Sequence, residues 1–358
     1  MPRSHTASIN QFILLLVFAG IQSYTCRAQK LFERDSPLKI QLSGQVEVLL
    51  QDRGEDTQYH EIQLTYTDSS VSNQPVSIPI QVRVRGNFRR LKSNCDFPPL
   101  LLNFSGTTTK GTLFESQNKV KLVMPCQGDK YVVREYLTYQ LYNRLTPKSF
   151  KARLVSVELQ DPNLKPKRAA FFYGILLEEE EQVAERNGMI MLERQLVRPE
   201  QTQKEDFLTM AVFEYLIGNT DWSVQYRQNV KLIAKDTLSI PITVPYDFDH
   251  AGIVSAPYAL PAFELGLNST RERRYRGYCI QDMKQFEPVV AKFNEARDDF
   301  YRIYSECPYL ELGYVKTTLK YLDDFYKTIN DPKRIKYQFQ YPCDPSGTGN
   351  VVIKGLKQ

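Results

Sequence analysis

What this chain of 358 residues lacks narrows its class before any motif is read. Its six cysteines contain no Cys-x-x-Cys pair, which removes the spacing of a structural zinc site. Only three histidines occur, too few and too scattered for a histidine-built hydrolytic centre. A formal net charge of +5 is too weak to mark a nucleic-acid surface, and a solvated mixture of both signs accounts for it. Past the N-terminus no run is long and apolar enough for a membrane helix, which needs about 20 residues. There is no internal repeat and no linker-like stretch between domains. What is present is 42% apolar residues, enough for a packed core, and 12% aromatics, mostly tyrosine and phenylalanine.

The N-terminus has the layout of a secretory signal. Arg3 supplies the positive start, residues 12–21 are apolar, and Cys26-Arg27-Ala28 offers a cleavage site before Gln29. Residues 1–28 are therefore expected to be a signal peptide, and the mature chain to be exported, periplasmic or extracellular. The competing reading makes Cys26 the acylated residue of a lipoprotein; Thr25 directly before it fits that poorly. Export permits disulfides. Without Cys26 an odd number of cysteines remains. Cys95 with Cys126 and Cys279 with Cys307 are the expected pairs, leaving Cys343 free. Asn103-Phe104-Ser105 and Asn268-Ser269-Thr270 match glycosylation sequons, which carry meaning only in a eukaryotic secretory route.

Alternation and turn residues predict strands over 38–42, 45–50, 60–66, 76–84, 98–104 and 119–124. In the fourth, Ile78, Ile80, Val82 and Val84 share one face, while Arg83 and Arg85 take the other. A loop is predicted over 68–74. Helical spacing marks 131–145, with Pro147 as its stop. Strands follow over 153–159 and 171–177, joined by a turn over 161–168. The acidic run Glu178 to Glu181 reads as a solvated helix start. Residues 205–217 are apolar on nearly all sides and predict a buried helix, with Gly218 placed to end it. A hairpin is expected from 229–233 and 240–246. Two long amphipathic helices close the chain at 281–305 and 311–329. The fold class is α+β, with a β-rich region over 29–180 and a helical region over 181–358.

Chemistry concentrates in the rear half. Tyr246-Asp247-Phe248-Asp249-His250 follows a strand-like run, and Asp221-Trp222 and Asn229 precede it. Carboxylate and amide oxygens in that order suit a divalent cation and a phosphate, because Mg²⁺ prefers hard oxygen ligands. Asp247 and Asp249 lie two apart, so on a strand they would share a face and repel unless a cation lies between them. The blander readings are a turn cap for Asp221, solvent-facing ion pairs for Arg85 and Arg134, and a hydrogen-bonded structural role for His250. Trp222 reads as a core anchor, and Tyr301, Tyr304, Tyr309 and Tyr314 read as packing.

These residues carry a family resemblance. Arg83-Val84-Arg85-Gly86-Asn87 resembles the R-x-R-G-N element of the spore-coat CotH protein-kinase-like family. Arg134-Glu135-Tyr136 is similar to its Leu-Arg-Asn helix, and residues 173–179 resemble its Y-x-G-x-Y-x-x-x-E strand. Asp221-Trp222 to Asn229 and then Pro245 to Asp249 are similar to its catalytic loop and W-D-F-D motif. The likeness covers residues 80–260. It implies an atypical protein-kinase-like fold with a β-rich N-terminal lobe and a mainly helical C-terminal lobe. It also implies ATP and Mg²⁺ as cofactors and an exported protein as substrate.

Carried over by position, Asp221 is the catalytic aspartate beside the acceptor hydroxyl. Asp247 holds Mg²⁺, and Asn229 and Asp249 are further metal or phosphate ligands. From kinase layout, Lys121 is the nucleotide-phosphate lysine and Glu135 its ion-pair partner. Arg85 is the competing cation, and Arg134 belongs to the same cofactor-binding set. Asn229 lies eight positions after Asp221, where kinases use five, and Gly86 stands without a glycine-rich loop. Tyr246 replaces the family's tryptophan. These departures leave a second reading open: a non-catalytic exported binding or assembly protein, a pseudokinase. A metal-dependent hydrolase is third, because no histidine cluster or activated nucleophile accompanies the carboxylates.

Overall fold

The alternating Ile78, Ile80, Val82 and Val84 face the interior of a closed β-barrel. A computed structural model describes Met1 and residues 31–69, 73–164 and 171–347. The expected signal peptide, Cys26 and part of the turn over 161–168 lie outside the described residues.

The front half comprises β1 (Leu38–Gly44), α1 (Val46–Gln51), β2 (His60–Thr67), β3 (Val76–Val84), β4 (Leu100–Asn103), the single-turn α2 (Gly106–Thr109) and β5 (Lys119–Val123). It continues with α3 (Asp129–Leu145), β6 (Ala152–Gln160) and β7 (Phe172–Leu177). The seven strands run β1-β2-β3-β4-β5-β7-β6 around the barrel. Neighbours are antiparallel except the closing pair, where β1 lies parallel to β6 from Leu38 opposite Val155 to Ser43 opposite Gln160.

That closing pair corrects the expected fold. The kinase-like arrangement of a β-rich N-terminal lobe and a helical C-terminal lobe does not form; the front strands close on themselves instead. The cause is a parallel pairing between segments far apart in sequence, which satisfies both edges of the sheet. No motif within residues 80–260 encodes it, because β1 lies outside that stretch. A second correction concerns residues 45–50. Val46, Leu49 and Leu50 are buried and Val48 is exposed, the spacing of one helix face, so this segment is α1 and not a strand.

The rear half comprises α4 (Glu180–Arg186), β8 (Ile190–Met191), α5 (Lys204–Ile217), β9 (Val230–Ala234) and β10 (Ile242–Pro245). It ends with α6 (Glu287–Glu295), α7 (Arg297–Ser305), α8 (Leu312–Ile329) and α9 (Pro332–Phe339). Strands β9 and β10 form the expected hairpin, extended by β8 into a three-stranded sheet. The single helix expected over 281–305 is divided. Pro288 lies in the first turn of α6, where its missing N–H leaves no partner unsatisfied, and a 3-10 turn precedes it. The sequence reading omits α9.

Two cores result. One fills the barrel; the other lies between the outer face of β5 to β7 and the helices. Period-two alternation divides single strands between them: on β6, Val155 and Val157 point inward and Leu154 outward. The same rule puts Val120 and Leu122 of β5 inside and turns Lys121 out. Helix α5 is buried from Phe207 to Ile217, as its composition predicts. It ends at Gly218, whose φ of 69° is left-handed and whose added Cβ would overlap Tyr321 Oη and the Thr270 carbonyl.

Disulfides join Cys95 to Cys126 and Cys279 to Cys343. The first pair agrees with expectation. The second does not: among the described residues Cys307 is free, and it packs half-buried against the helical core. The fold-back of α8 and α9 brings Cys343 to within 4.5 Å of Cys279, Cα to Cα, a proximity that spacing does not reveal. Two disulfides fit an oxidising compartment. No helix among the described residues is long and apolar enough to cross a membrane.

Candidate functional site

The left-handed turn at Gly218 delivers Asn219, Thr220 and Asp221 to the edge of the buried core. Asn219 Oδ1 accepts from the Asp221 amide at 3.0 Å, a side-chain mimic of a backbone turn. Asp221 is buried, and its carboxylate accepts from Asn229 Nδ2 at 3.0 Å and Gln228 Nε2 at 3.3 Å. Asn229 Nδ2 also donates to the Asp221 carbonyl at 2.8 Å.

Asn229 and Asp247 both have positive φ, 51° and 63°, a region that residues with a side chain seldom occupy. Such strain persists where surrounding structure holds it, and it gathers at functional sites. At Asp247 the holding group is Tyr139 of α3, whose hydroxyl accepts from the Asp247 amide at 2.9 Å. Strand β10 ends at Pro245, so Asp247 and Asp249 lie in a turn beyond it and not on a strand. Asp249 is buried; its Oδ2 accepts from Tyr258 Oη at 3.1 Å and sits 3.7 Å from Arg89 Nη1.

Asp221, Asn229, Asp247 and Asp249 line one cleft of about 800 Å³. From the barrel side the same cleft receives Lys121, Arg85 and Arg89. Six of the eight residues singled out by sequence therefore converge. The other two do not line it. Glu135 is buried behind it, 3.4 Å from Arg89 Nη1. Arg134 faces elsewhere: it donates to the Val254 carbonyl and to Glu311, both at 3.2 Å, and stacks 3.7 Å from the Tyr314 ring. It anchors α3 to the start of α8.

The expected Lys121–Glu135 pair is also corrected. Lys121 Nζ lies 3.5 Å from Glu180 Oε2, which Lys231 shares at 2.7 Å. Both lysines sit 5.5 Å from the centre of the Tyr246 ring. Glu180 takes the place of Glu135 because α4 begins beside β5 and β9, whereas Arg89 already occupies Glu135. The acidic run does start a helix and Glu181 is exposed, but Glu178 and Glu180 are paired rather than solvated. Glu178 is fully buried and accepts from Arg186 Nε at 2.8 Å and from the Lys151 amide at 2.9 Å.

Arg89, Glu180 and Tyr258 are site residues that sequence reasoning missed. For Arg89 the signal was its position, three residues past Gly86 in the same loop. Trp222 is the core anchor that composition suggested. His250 lines the cleft edge-on to Phe88 and Tyr258, and its buried Nδ1 has no hydrogen bond among the described residues, unlike the expected structural histidine.

Electrostatics separate the acids. Burial, then the neighbouring Asp249 charge, push Asp247 up to about 6, while Arg89 and Arg85 pull against them. Burial likewise raises Glu135 well above the carboxylate range. For Arg89, burial favours losing the proton, but the surrounding acidic groups, Tyr258, Glu135, Asp249 and Asp247, hold it firmly protonated. Lys121 is lowered, first by burial and then by Arg85. Crowded acids of this kind are relieved by a cation. Among the described residues no group of three or more His, Cys, Asp or Glu side chains is arranged to hold a metal. A magnesium ion needs only one or two protein carboxylates when phosphates and water complete its shell. The donor set therefore fits a metal carried in with a phosphate ligand, not a preformed cage.

Compared with models of protein families the chain matches none, and compared with curated proteins it likewise matches none.

Proposed function

We propose that the cleft binds Mg-ATP and that the protein transfers a phosphoryl group to an exported protein. The observation that carries this reading is the meeting of Asp221, Asn229, Asp247 and Asp249 with Lys121, Arg85 and Arg89 around one cleft. Phosphoryl transfer asks a protein mainly to position groups and neutralise charge, which such a set of side chains does. The order of motifs that resembles the CotH family adds support; the reading rests on the cleft and not on the fold. Asp247, with Asn229 and Asp249, would hold the metal, whose chemistry is to offset the phosphate charge. Lys121 and Arg85 hold phosphate oxygens. Asp221, kept in place by Asn219, Gln228 and Asn229, accepts the proton of the acceptor hydroxyl. Export is part of the proposal, supported by the disulfides and the signal-like N-terminus.

Titration calorimetry with ATP, with and without Mg²⁺, tests it. Asp247→Asn is expected to abolish the metal-dependent part of binding with the circular dichroism spectrum unchanged. Equal Mg-ATP affinity in that variant would sink the assignment.

One observation favours a second reading, binding without transfer. Both oxygens of the Asp221 carboxylate already accept hydrogen bonds, from Gln228 and Asn229, so they are engaged before any acceptor hydroxyl arrives. Saturable Mg-ATP binding with no phosphate transfer, under Mg²⁺ or Mn²⁺, selects it.

A further inference from the structure

A second pocket, of about 410 Å³, shares no residue with the cleft. It lies where the C-terminal end of α5 meets α8, and its cations are Arg271, Arg273 and Lys320. Arg273 is held firmly. Its Nε donates to the Leu216 carbonyl at 3.0 Å, its Nη2 donates to the Tyr321 carbonyl at 2.6 Å, and its guanidinium stacks 3.5 Å from the centre of the Tyr321 ring. Arg271 uses the same ring at 4.6 Å, and its Nη1 donates to Ser255 Oγ at 3.1 Å.

Two guanidinium groups on one ring repel each other. Among the described residues no carboxylate forms an ion pair with Arg271, Arg273 or Lys320. Asp324, the acid on the lining, is 3.7 Å from Lys327. Burial, reinforced by Arg271, presses Arg273 below its ordinary value, against the opposing pull of Tyr321, Tyr215 and Asp324. Arg271 and Arg273 are half-buried and Lys320 is exposed, so three cations face one pocket with only Asp324 nearby among the described residues, and an anionic ligand supplies the charge they lack. Arg273 Nη1, Arg271 Nε and Nη2, and Lys320 Nζ make no hydrogen bond to the described residues, so donors remain for such a ligand. The volume suits a small molecule rather than a polymer.

We propose that this pocket binds a tetrahedral oxyanion, the phosphate or sulfate group of a small molecule, between Arg271, Arg273 and Lys320. The planar Arg271 fork of Nε and Nη2 matches two oxygens of such a group, Arg273 Nη1 and Lys320 Nζ offer further donors, and the Tyr321 ring fixes the guanidinium orientation. The proposal is independent of the nucleotide reading of the cleft.

The full chain carrying Arg85→Gln and Lys121→Gln, which strips two cations from the cleft, is titrated calorimetrically with sodium phosphate and sodium sulfate at low ionic strength. Sodium chloride is the control. Saturable binding at a single site is expected, weakened about tenfold or more when Arg271→Gln and Lys320→Gln are added. A preference for phosphate or for sulfate names which ester the pocket takes. Lack of saturable binding, chloride binding as tight, or an affinity unmoved by the added pair would overturn the proposal. Should the added pair unfold the chain, Arg271→Lys keeps the charge but loses the fork, and the same weakening is expected.

Discussion

Arg153 and Arg89 are both buried arginines that meet a carboxylate, yet their surroundings differ in completeness. Arg153 spends all three guanidinium nitrogens on fixed partners: Nε on the Ser36 carbonyl, Nη1 on the Leu31 carbonyl and Nη2 on Asp68. Arg89 leaves Nε without a partner, and Glu135 leaves Oε1 without one, among the described residues. Around Arg89 stand Glu135, Asp247 and Asp249, more acid than one arginine offsets. A saturated network fixes the chain entry into the barrel. An unsaturated one, beside a cleft, leaves buried polar atoms that carry a desolvation cost.

That contrast can be broken at its strongest point first. Arg153→Ala strands Asp68 beside a more distant Arg34 and should destabilise the fold by about 3–5 kcal/mol, read as a shift in urea midpoint. A loss below about 1 kcal/mol would mean that the saturated network is not structural. Next in size is Asp247→Asn. The folded value of about 6 lies above the ordinary 3.8, so the folded state keeps a proton that the unfolded chain releases between them. Stability is therefore full below about pH 4 and falls as pH rises through about 6. The variant cannot ionise and should be more stable than the parent above that window, by roughly 1–3 kcal/mol, while losing metal-dependent binding. Equal stability at pH 4 and pH 7 in the parent would remove the claim that Asp247 is crowded. The smallest effect belongs to Glu135→Gln, which should change stability by less than about 1 kcal/mol. Burial already favours the protonated acid, and glutamine has its shape. A large loss would place Glu135 with Asp68, as a structural partner.

The cleft was partly legible in advance. Asp221, Asn229, Asp247 and Asp249 stood out because polar residues at the ends of apolar runs must leave the core somewhere, and here they leave it together. Lys121 came from kinase layout and Arg85 from the R-x-R-G-N likeness, and strand alternation turns Lys121 away from the barrel interior. Their partners were not legible. Lys121 meets Glu180 and Arg89 meets Glu135 because β5, α3 and α4 come together in space, and helix or strand periodicity carries no information about which neighbour arrives. The same limit explains Arg134 and Glu135: one helix step separates them in sequence, yet one anchors α8 and the other backs the cleft.

Local chemistry settled the strands with alternating faces, the buried helix α5 and its stop at Gly218, and the hairpin of β9 and β10, since each depends on neighbours within a few residues. Barrel closure through β1 and β6, the pairing of Cys279 with Cys343 and the exchange of Glu135 for Glu180 depended on the tertiary structure. Each is a choice among distant partners that the local pattern leaves equal, and the choice falls to the packing that buries both faces at once.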